Sequence, residues 1–358
     1  MLFSLLVWFG LLGMLIAPKP AITIEDRITV CPGGHAPKVV RLASGRLVMA
    51  VRAGLTGVGS NSSVALVESA DGGRSWSPPR QIYDSPDDDR VQTLNLLPDG
   101  TLLLGFAAEA GGRAQAYWLR SSDQGRSWGR AEPIDPAPFD YIFPFGEVVV
   151  RRSGGLILSA YGGYYPMYES AGKPPQRQGY SSWLLESTDG GQSWRYHGRI
   201  ARFANQTHIA RLGTGDLVAV LRSAELATLT TYEKSLQHPT DYCLVTFSRD
   251  EGRTWSQPKR ITDPAEMQGF PLVASTGEIL LSTSVRRPPF GVAIRISRDE
   301  GKSWSPPAPL VEDAPSADVG LTQTIEVGKR RFLTFYHFEN RRSPDRAAGV
   351  LGVFWRLD

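Results

Sequence analysis

The pattern Ser-x-Asp-x-Gly-x-Ser/Thr-Trp occurs five times in the chain, at Ser69–Trp76, Ser121–Trp128, Ser187–Trp194, Ser248–Trp255 and Ser297–Trp304. Successive tryptophans lie 52, 66, 61 and 49 residues apart, which is the signature of one structural unit repeated along the chain. The chemistry of the octapeptide is that of a self-capped turn. The aspartate can accept from backbone N–H groups just beyond it. The glycine two residues later tolerates positive φ. The tryptophan covers the turn from below and keeps an N–H for a partner. Asp71, Asp123, Asp189, Asp250 and Asp299 are therefore read as architecture, not as catalytic or calcium-binding groups.

Each octapeptide sits between two short apolar or β-branched segments, and two more precede it across a Gly-containing turn. The first unit reads KVVRL, Ser44-Gly45, RLVMAV, SVALVES, octapeptide, PPRQIY; four further units follow the same order. A sixth, LTQTIEV, RRFLTFYHF and GVLGVFWRL, ends the chain with no octapeptide. No segment carries a helical period of useful length. Six four-stranded units predict an all-β, six-bladed β-propeller. The last unit lacks its fourth strand, and Ile22–Val30 is expected to supply it and close the ring.

Composition narrows the function classes. The 358 residues carry 39 Lys+Arg against 36 Asp+Glu with no basic tract, so no nucleic-acid partner is expected. Two cysteines, Cys31 and Cys243, and five scattered histidines offer no zinc motif, and no metal or cofactor is expected. Residues 2–17 form an uncharged apolar run short of the ~20 residues that span a bilayer, ended by Pro18-Lys19-Pro20. It reads as the h-region of an export signal although no basic residue precedes it, with an uncleaved anchor as the alternative. Residues 1–21 are set apart as that segment and 22–358 as a single propeller, secreted or periplasmic, with the membrane reached only through residues 2–17.

The unit grammar also assigns faces. Turns joining first to second and third to fourth strands share a bottom face. The other face receives the starts of first strands, the ends of second strands and the long loops Tyr164–Gly179, Ser223–Thr240 and Glu339–Ala348. Binding groups collect on such loops beside a rigid scaffold. Second-strand ends place Arg52, Glu109, Tyr161, Arg222, Arg286, Arg287, Tyr336 and His337 there. First-strand starts place His35, Lys38, Asp89, Arg90, Glu147, Gln206, His208 and Gln323 there, and Asp88, Asp89, Glu109, Glu147 and Asp318 form the pool of possible acid/base carboxylates. Arginines converging from separate blades suit a carboxylate. Glycosidic cleavage commonly uses two carboxyl groups about 5–10 Å apart. Asp89, Glu147 and Glu109 are the candidates, Glu147 lying in the aromatic stretch Phe143-Pro144-Phe145-Gly146 that favours a raised pKa. Tyr161, Tyr164, Tyr165, Tyr168, Phe143 and Phe145 are available to stack on sugar rings.

The octapeptide resembles the Asp box of the sialidase (neuraminidase) superfamily, and the resemblance spans roughly residues 35–357. It implies a top-face site with three arginines on a sugar carboxylate, an aspartate acid/base, and a tyrosine nucleophile paired with a glutamate. Arg222, in VAVLRS, resembles the second arginine, and Arg286 or Arg287, in TSVRRPPFGV, the third. The chain departs from the pattern in four places. His35-Ala36-Pro37 stands where an [FY]RIP motif is expected, and Gly54–Ser63 holds no carboxylate. Gln206 stands for the glutamate, and Leu321 for the tyrosine. A glutamine cannot act as a general base.

Three functions follow as expectations. The first is a glycoside hydrolase acting on a glycan with an acidic or furanose sugar, its carboxylates converging near Arg222. The second is a non-catalytic glycan- or protein-binding propeller, and the third a uronate lyase using His35, His208 or Tyr336.

Overall fold

The computed structural model of the protein describes residues 19–54, 62–164, 181–223, 241–338 and 349–358. The apolar run 2–17, Tyr165, Tyr168 and almost all of the three long top loops lie outside these residues, as does most of the carboxylate-free stretch Gly54–Ser63. Six antiparallel sheets form the blades. Blade one is His35–Arg41, Leu47–Ala53, Ser63–Ser69 and Arg80–Tyr83. Blade four, built alike, is Ala204–Arg211, Leu217–Ser223, Cys243–Ser248 and Lys259–Arg260. First strands of neighbouring blades contact one another around the ring, His35–Arg41 touching both Asp88–Leu96 and Val319–Gly328. Blade six orders Val319–Gly328, Arg331–Phe338, Gly349–Leu357 and, outermost, Ile22–Pro32, so the N-terminal strand closes the ring as expected.

Blade three differs from the sequence expectation. Its first strand is not GEVVV but two pieces, Tyr141–Pro144 and Val149–Val150, both paired to Leu156–Gly163. Gly146, at φ 82°, makes the break. A Cβ there would lie 2.6 Å from the Thr207 carbonyl oxygen of blade four, so the neighbouring backbone admits only glycine.

Alternation along the strands fills both sides of every blade. Leu102, Leu104 and Phe106 pack toward blade one, whereas Leu103 and Ala107 between them pack toward blade three. Each such buried Leu or Phe contributes about 1.5–3 kcal/mol of apolar burial. Side-chain amides stitch the inner ring. Gln323 accepts from Val39 N–H (2.7 Å) and donates to the Val39 carbonyl (3.0 Å), imitating a backbone ladder between blades six and one. Its place at the rim is thus structural, a correction to the sequence reading.

The octapeptide turns are built as their chemistry requires. Asp71 accepts from the Arg74 and Ser75 backbone N–H groups (both 3.0 Å) and from the Ser69 hydroxyl (2.7 Å). Trp76 Nε1 donates to the Gly73 carbonyl at 2.9 Å. The Ser/Thr backbone bond to the aspartate recurs at Asp123, Asp189, Asp250 and Asp299, and the indole bond at Trp128, Trp194 and Trp304 but not at Trp255. In blade six the two ends of the described chain meet where the octapeptide would stand. Ile22 is the register partner of Leu357, and Asp358 N–H donates to the Ala21 carbonyl at 3.1 Å. Cys31 and Cys243 are buried free thiols in blades six and four.

Candidate active site in the top funnel

The top of the inner ring carries a repeated irregularity. In blade one His35 pairs with Arg52 and Lys38 with Ala50, so Ala36 and Pro37 face the single residue Val51. Blades four, five and six repeat this bulge at Gln206, Gln268 and Leu321. The four residues Ala36, Gln206, Gln268 and Leu321 all take left-handed φ, at 51°, 44°, 55° and 45°. Non-glycine residues pay for that conformation, and bulges of this kind re-aim side chains beside functional sites. The departures from the sialidase pattern at Ala36, Gln206 and Leu321 are therefore three members of one structural set. Gly320, beside the last, leaves room for the site: a Cβ there would lie 2.4 Å from Gln268 Oε1 and 2.9 Å from Arg286 Nη2.

Three arginines reach the funnel from blades one, four and five. Arg52, directly opposite His35, donates from Nε to Ser62 Oγ (2.8 Å) and from Nη2 to Asp88 (2.7 Å). It stands on the second strand of blade one, across from the His35-Ala36-Pro37 segment. Arg222 is held by Asp241 at 2.6 Å and donates from Nη1 to Gln206 Oε1 at 3.1 Å. Arg286 donates to the Val319 carbonyl (3.0 Å) and to Gln268 Oε1 (3.1 Å). Arg287 does not join them. It turns outward to the Pro264 carbonyl (2.9 Å), with Asp263 at 3.7 Å, because Pro288 and Pro289 carry the chain away over the rim.

The carboxylates divide. Asp88 bridges Arg52 and Arg90, and Arg90 in turn holds Glu109 at 2.7 Å. Burial works against the charge on Asp88, but Arg90, the Ser62 hydroxyl and Arg52 outweigh it and hold the carboxyl below its ordinary range. Burial instead pushes the Glu109 carboxyl up, against the pull of Arg90. Asp89 is a correction: fully enclosed, it accepts from Ser85 N–H (2.7 Å) and the Ser85 hydroxyl (2.9 Å), away from the arginines. Alternation along the strand puts Asp88 on the funnel side and its neighbour on the other.

Glu147 stands apart with a set of its own. Its carboxylate lies 2.9 Å from Nδ1 of His208, and its side chain is 34% exposed, against 5% for Asp88 and 13% for Glu109. His208 is wedged edge-on between Phe145 and Phe270, at ring distances of 5.0 and 4.9 Å. Burial lowers its pKa despite Glu147, so at neutral pH the imidazole is uncharged and donates from Nδ1. Lys38, buried, sets its ammonium 4.0 Å over the Phe145 ring, and burial brings its pKa down to about 8 in spite of Glu147.

His35 and His337 meet edge to face at 5.5 Å. Burial, with His35, Arg286 and Arg52 nearby, takes His337 down to about 3 and keeps it neutral. Tyr161 lies at the wall between blades two and three, its hydroxyl 3.3 Å from Gln92 Oε1 and its ring beside Phe143 and Phe145. Phe143 and Phe145 are buried core residues, not open stacking faces. Tyr336 is not in the funnel. It packs into the apolar interface of blades five and six, because its strand presents His337 to the funnel side and Tyr336 to the opposite one. The sequence reading left Arg90, Asp241 and Gln268 out of the site residues it favoured. Strand-start counting brings Arg90 to the rim without its ion pairs, and no spacing announces Asp241 or Gln268, since their partners come from other strands.

The site sits in the polar, arginine-lined mouth of a six-bladed ring. The BNR repeat-like domain model matches residues 91–330, and the chain belongs to that family. No curated protein matches it. A protein of unknown function from Dyadobacter fermentans DSM 18053 shares the fold at TM-score 0.76 and 22% identity, over 95% of this chain and 100% of that one. Hadza microbial sialidase Hz136 gives 0.65 and 17%, over 91% of this chain and 66% of its own. Penicillium chrysogenum alpha-L-arabinanase, solved with arabinobiose, gives 0.66 and 14%, over 94% and 99%. At these identities the likeness is one of fold.

Proposed function

We propose that the chain is a glycoside hydrolase that receives an acidic sugar in the top funnel. The observation that carries this reading is the set of three arginines, Arg52, Arg222 and Arg286, brought from three blades to the mouth and each fixed in orientation by a partner from its own or the next segment. Oriented guanidinium groups in a partly desolvated funnel recognise a carboxylate. Glu147 is the reacting carboxylate: it is more exposed than Asp88 or Glu109, and His208 and Lys38 orient it from below. Glu109, whose proton burial helps retain, is the donor. With Leu321 in place of a tyrosine, the reaction runs on this carboxylate pair and not on a phenolate nucleophile.

A second reading, a binding propeller without turnover, is favoured by the bulge set itself. Ala36, Gln206 and Leu321 occupy three of its four left-handed positions and none can act as acid, base or nucleophile. A lyase is supported less, because Tyr336 lies outside the funnel and His35 and His208 are buried. The test is product analysis by mass spectrometry after incubating the protein and Arg222→Ala with sialylated, uronate-containing and arabinose-containing oligosaccharides. Release of one sugar by the parent alone supports hydrolysis. An unsaturated, ultraviolet-absorbing product would establish the lyase, and saturable binding without any product would establish the binding module.

A further inference from the structure

Away from the funnel, a pocket of ≈ 340 Å³ opens between blades five and six, at the low end of the size range for small-molecule sites. Ile28, Val311, Pro315 and Phe338 form its apolar walls, and Tyr336, itself only 5% exposed, lines it. Among the described residues the Tyr336 hydroxyl has no protein hydrogen-bond partner, and it is not one of the fully enclosed polar atoms, so it opens on the pocket. Tyrosine hydroxyls ordinarily find a partner, and here only what fills the pocket can supply one. Burial pushes this phenol up to about 12, so it keeps its proton and can donate. At the mouth Arg27 reaches across from blade six to Asp313 of the crossover segment at 3.0 Å, and both side chains remain open to solvent.

These features select a ligand. The Arg27–Asp313 pair is neutral as a whole, so an anion would meet Asp313 and a cation would meet Arg27. A pure hydrocarbon would leave the Tyr336 hydroxyl unmatched. A neutral polyol with one apolar face satisfies all of them: its C–H face lies on Phe338 and Tyr336, while its hydroxyls meet the phenol, the guanidinium and the carboxylate. We infer that this pocket is a second saccharide site that takes one neutral sugar unit, distinct in charge from the acidic-sugar funnel. The choice of a sugar rests on the glycan reading of the funnel; the pocket itself does not share a residue with it.

The experiment is ligand-observed saturation-transfer NMR with methyl glycosides of glucose, galactose, fucose and arabinose, and with glucuronate as the anionic control. It compares the parent, Tyr336→Phe and Arg222→Ala, with 3-fluorotyrosine labelling to locate binding. The expected result is saturable transfer from at least one neutral glycoside, a shifted Tyr336 fluorine signal, at least tenfold weaker binding in Tyr336→Phe, and full retention in Arg222→Ala. Tyr336→Phe should melt at or above the parent temperature, because it discards a hydroxyl that has no protein partner. Absence of transfer from every neutral glycoside overturns the proposal, as does transfer from glucuronate alone or unchanged binding in Tyr336→Phe. Loss of turnover in Arg222→Ala with pocket binding intact separates the two sites, so either can fail without the other.

Discussion

Nδ1 of His208 lies 2.9 Å from the Glu147 carboxylate while the imidazole is enclosed between Phe145 and Phe270. Glu147 thus has two duties, one toward the funnel and one toward a buried donor. Glu147→Gln keeps an acceptor for the imidazole but cannot take a proton. It should lower kcat by about 10²–10⁴-fold with little change in melting temperature. Glu147→Ala should lose both, because His208 is then left with an unmatched N–H. Steady-state rates and thermal melts of the two variants, side by side, read the difference.

Lys38 is a charge held at a cost. Its folded pKa of about 8 lies below the 10.5 of an unburied lysine, so between those values the unfolded chain binds more protons and stability rises with pH. Lys38→Met removes that dependence. The variant should be the more stable at pH 7, and its advantage should shrink by on the order of 3 kcal/mol as pH climbs from about 8 to 10.5. Its activity should move the other way, since the cation beside Glu147 is gone. Urea titrations at pH 7 and 10 with matched rate measurements check both signs.

Gln206 accepts from Nη1 of Arg222 at 3.1 Å. Gln206→Glu places a second carboxylate, beyond Asp241, on the same guanidinium. Affinity for an anionic sugar should drop by about tenfold or more, with the loss growing smaller at high salt as the added charge is screened. Calorimetric titration at two ionic strengths reads it; unchanged affinity would remove Arg222 from the binding set.

Asp89 is enclosed on the far side of its strand, and burial, opposed by the Ser85 bonds, raises its pKa to about 6. Its folded pKa exceeds the 3.8 of an unburied aspartate, so the native state binds the extra proton and stability falls as pH rises from about 4 to 6. Asp89→Asn should abolish that slope and leave turnover unchanged. Denaturation of parent and variant at pH 4, 5 and 6.5 measures the first, and an activity assay the second.

The fold was legible because its signals are local. Each octapeptide closes its own hydrogen bonds within eight residues, so Ser69, Asp71, Gly73 and Trp76 announce their turn without reference to the rest of the chain. The funnel was only half legible. Counting strand ends brings Arg52, Arg222, Arg286, Glu109 and Glu147 to the top, but it cannot say which way a residue at a strand end faces. That is why Asp89 was preferred to Asp88, and Tyr336 named beside His337. The bulges were invisible for another reason. Ala36, Leu321 and the two glutamines, Gln206 and Gln268, are not residue types that favour a left-handed backbone, and that conformation is imposed by the ring. Arg287 was placed with Arg286 because adjacency in sequence hid the turn at Pro288 that separates them.

The pairing of Ile22 with Leu357 has a practical meaning for how such a molecule can be held. Both ends of the described chain leave from the face of the octapeptide turns, opposite the arginine-lined mouth. A tether at either end, whether a fusion partner, a bead or a lipid surface, would hold the propeller like a cup set on its base. Its opening would face away from the support, and a tether attached at Ala21 or Asp358 would leave the funnel unobstructed.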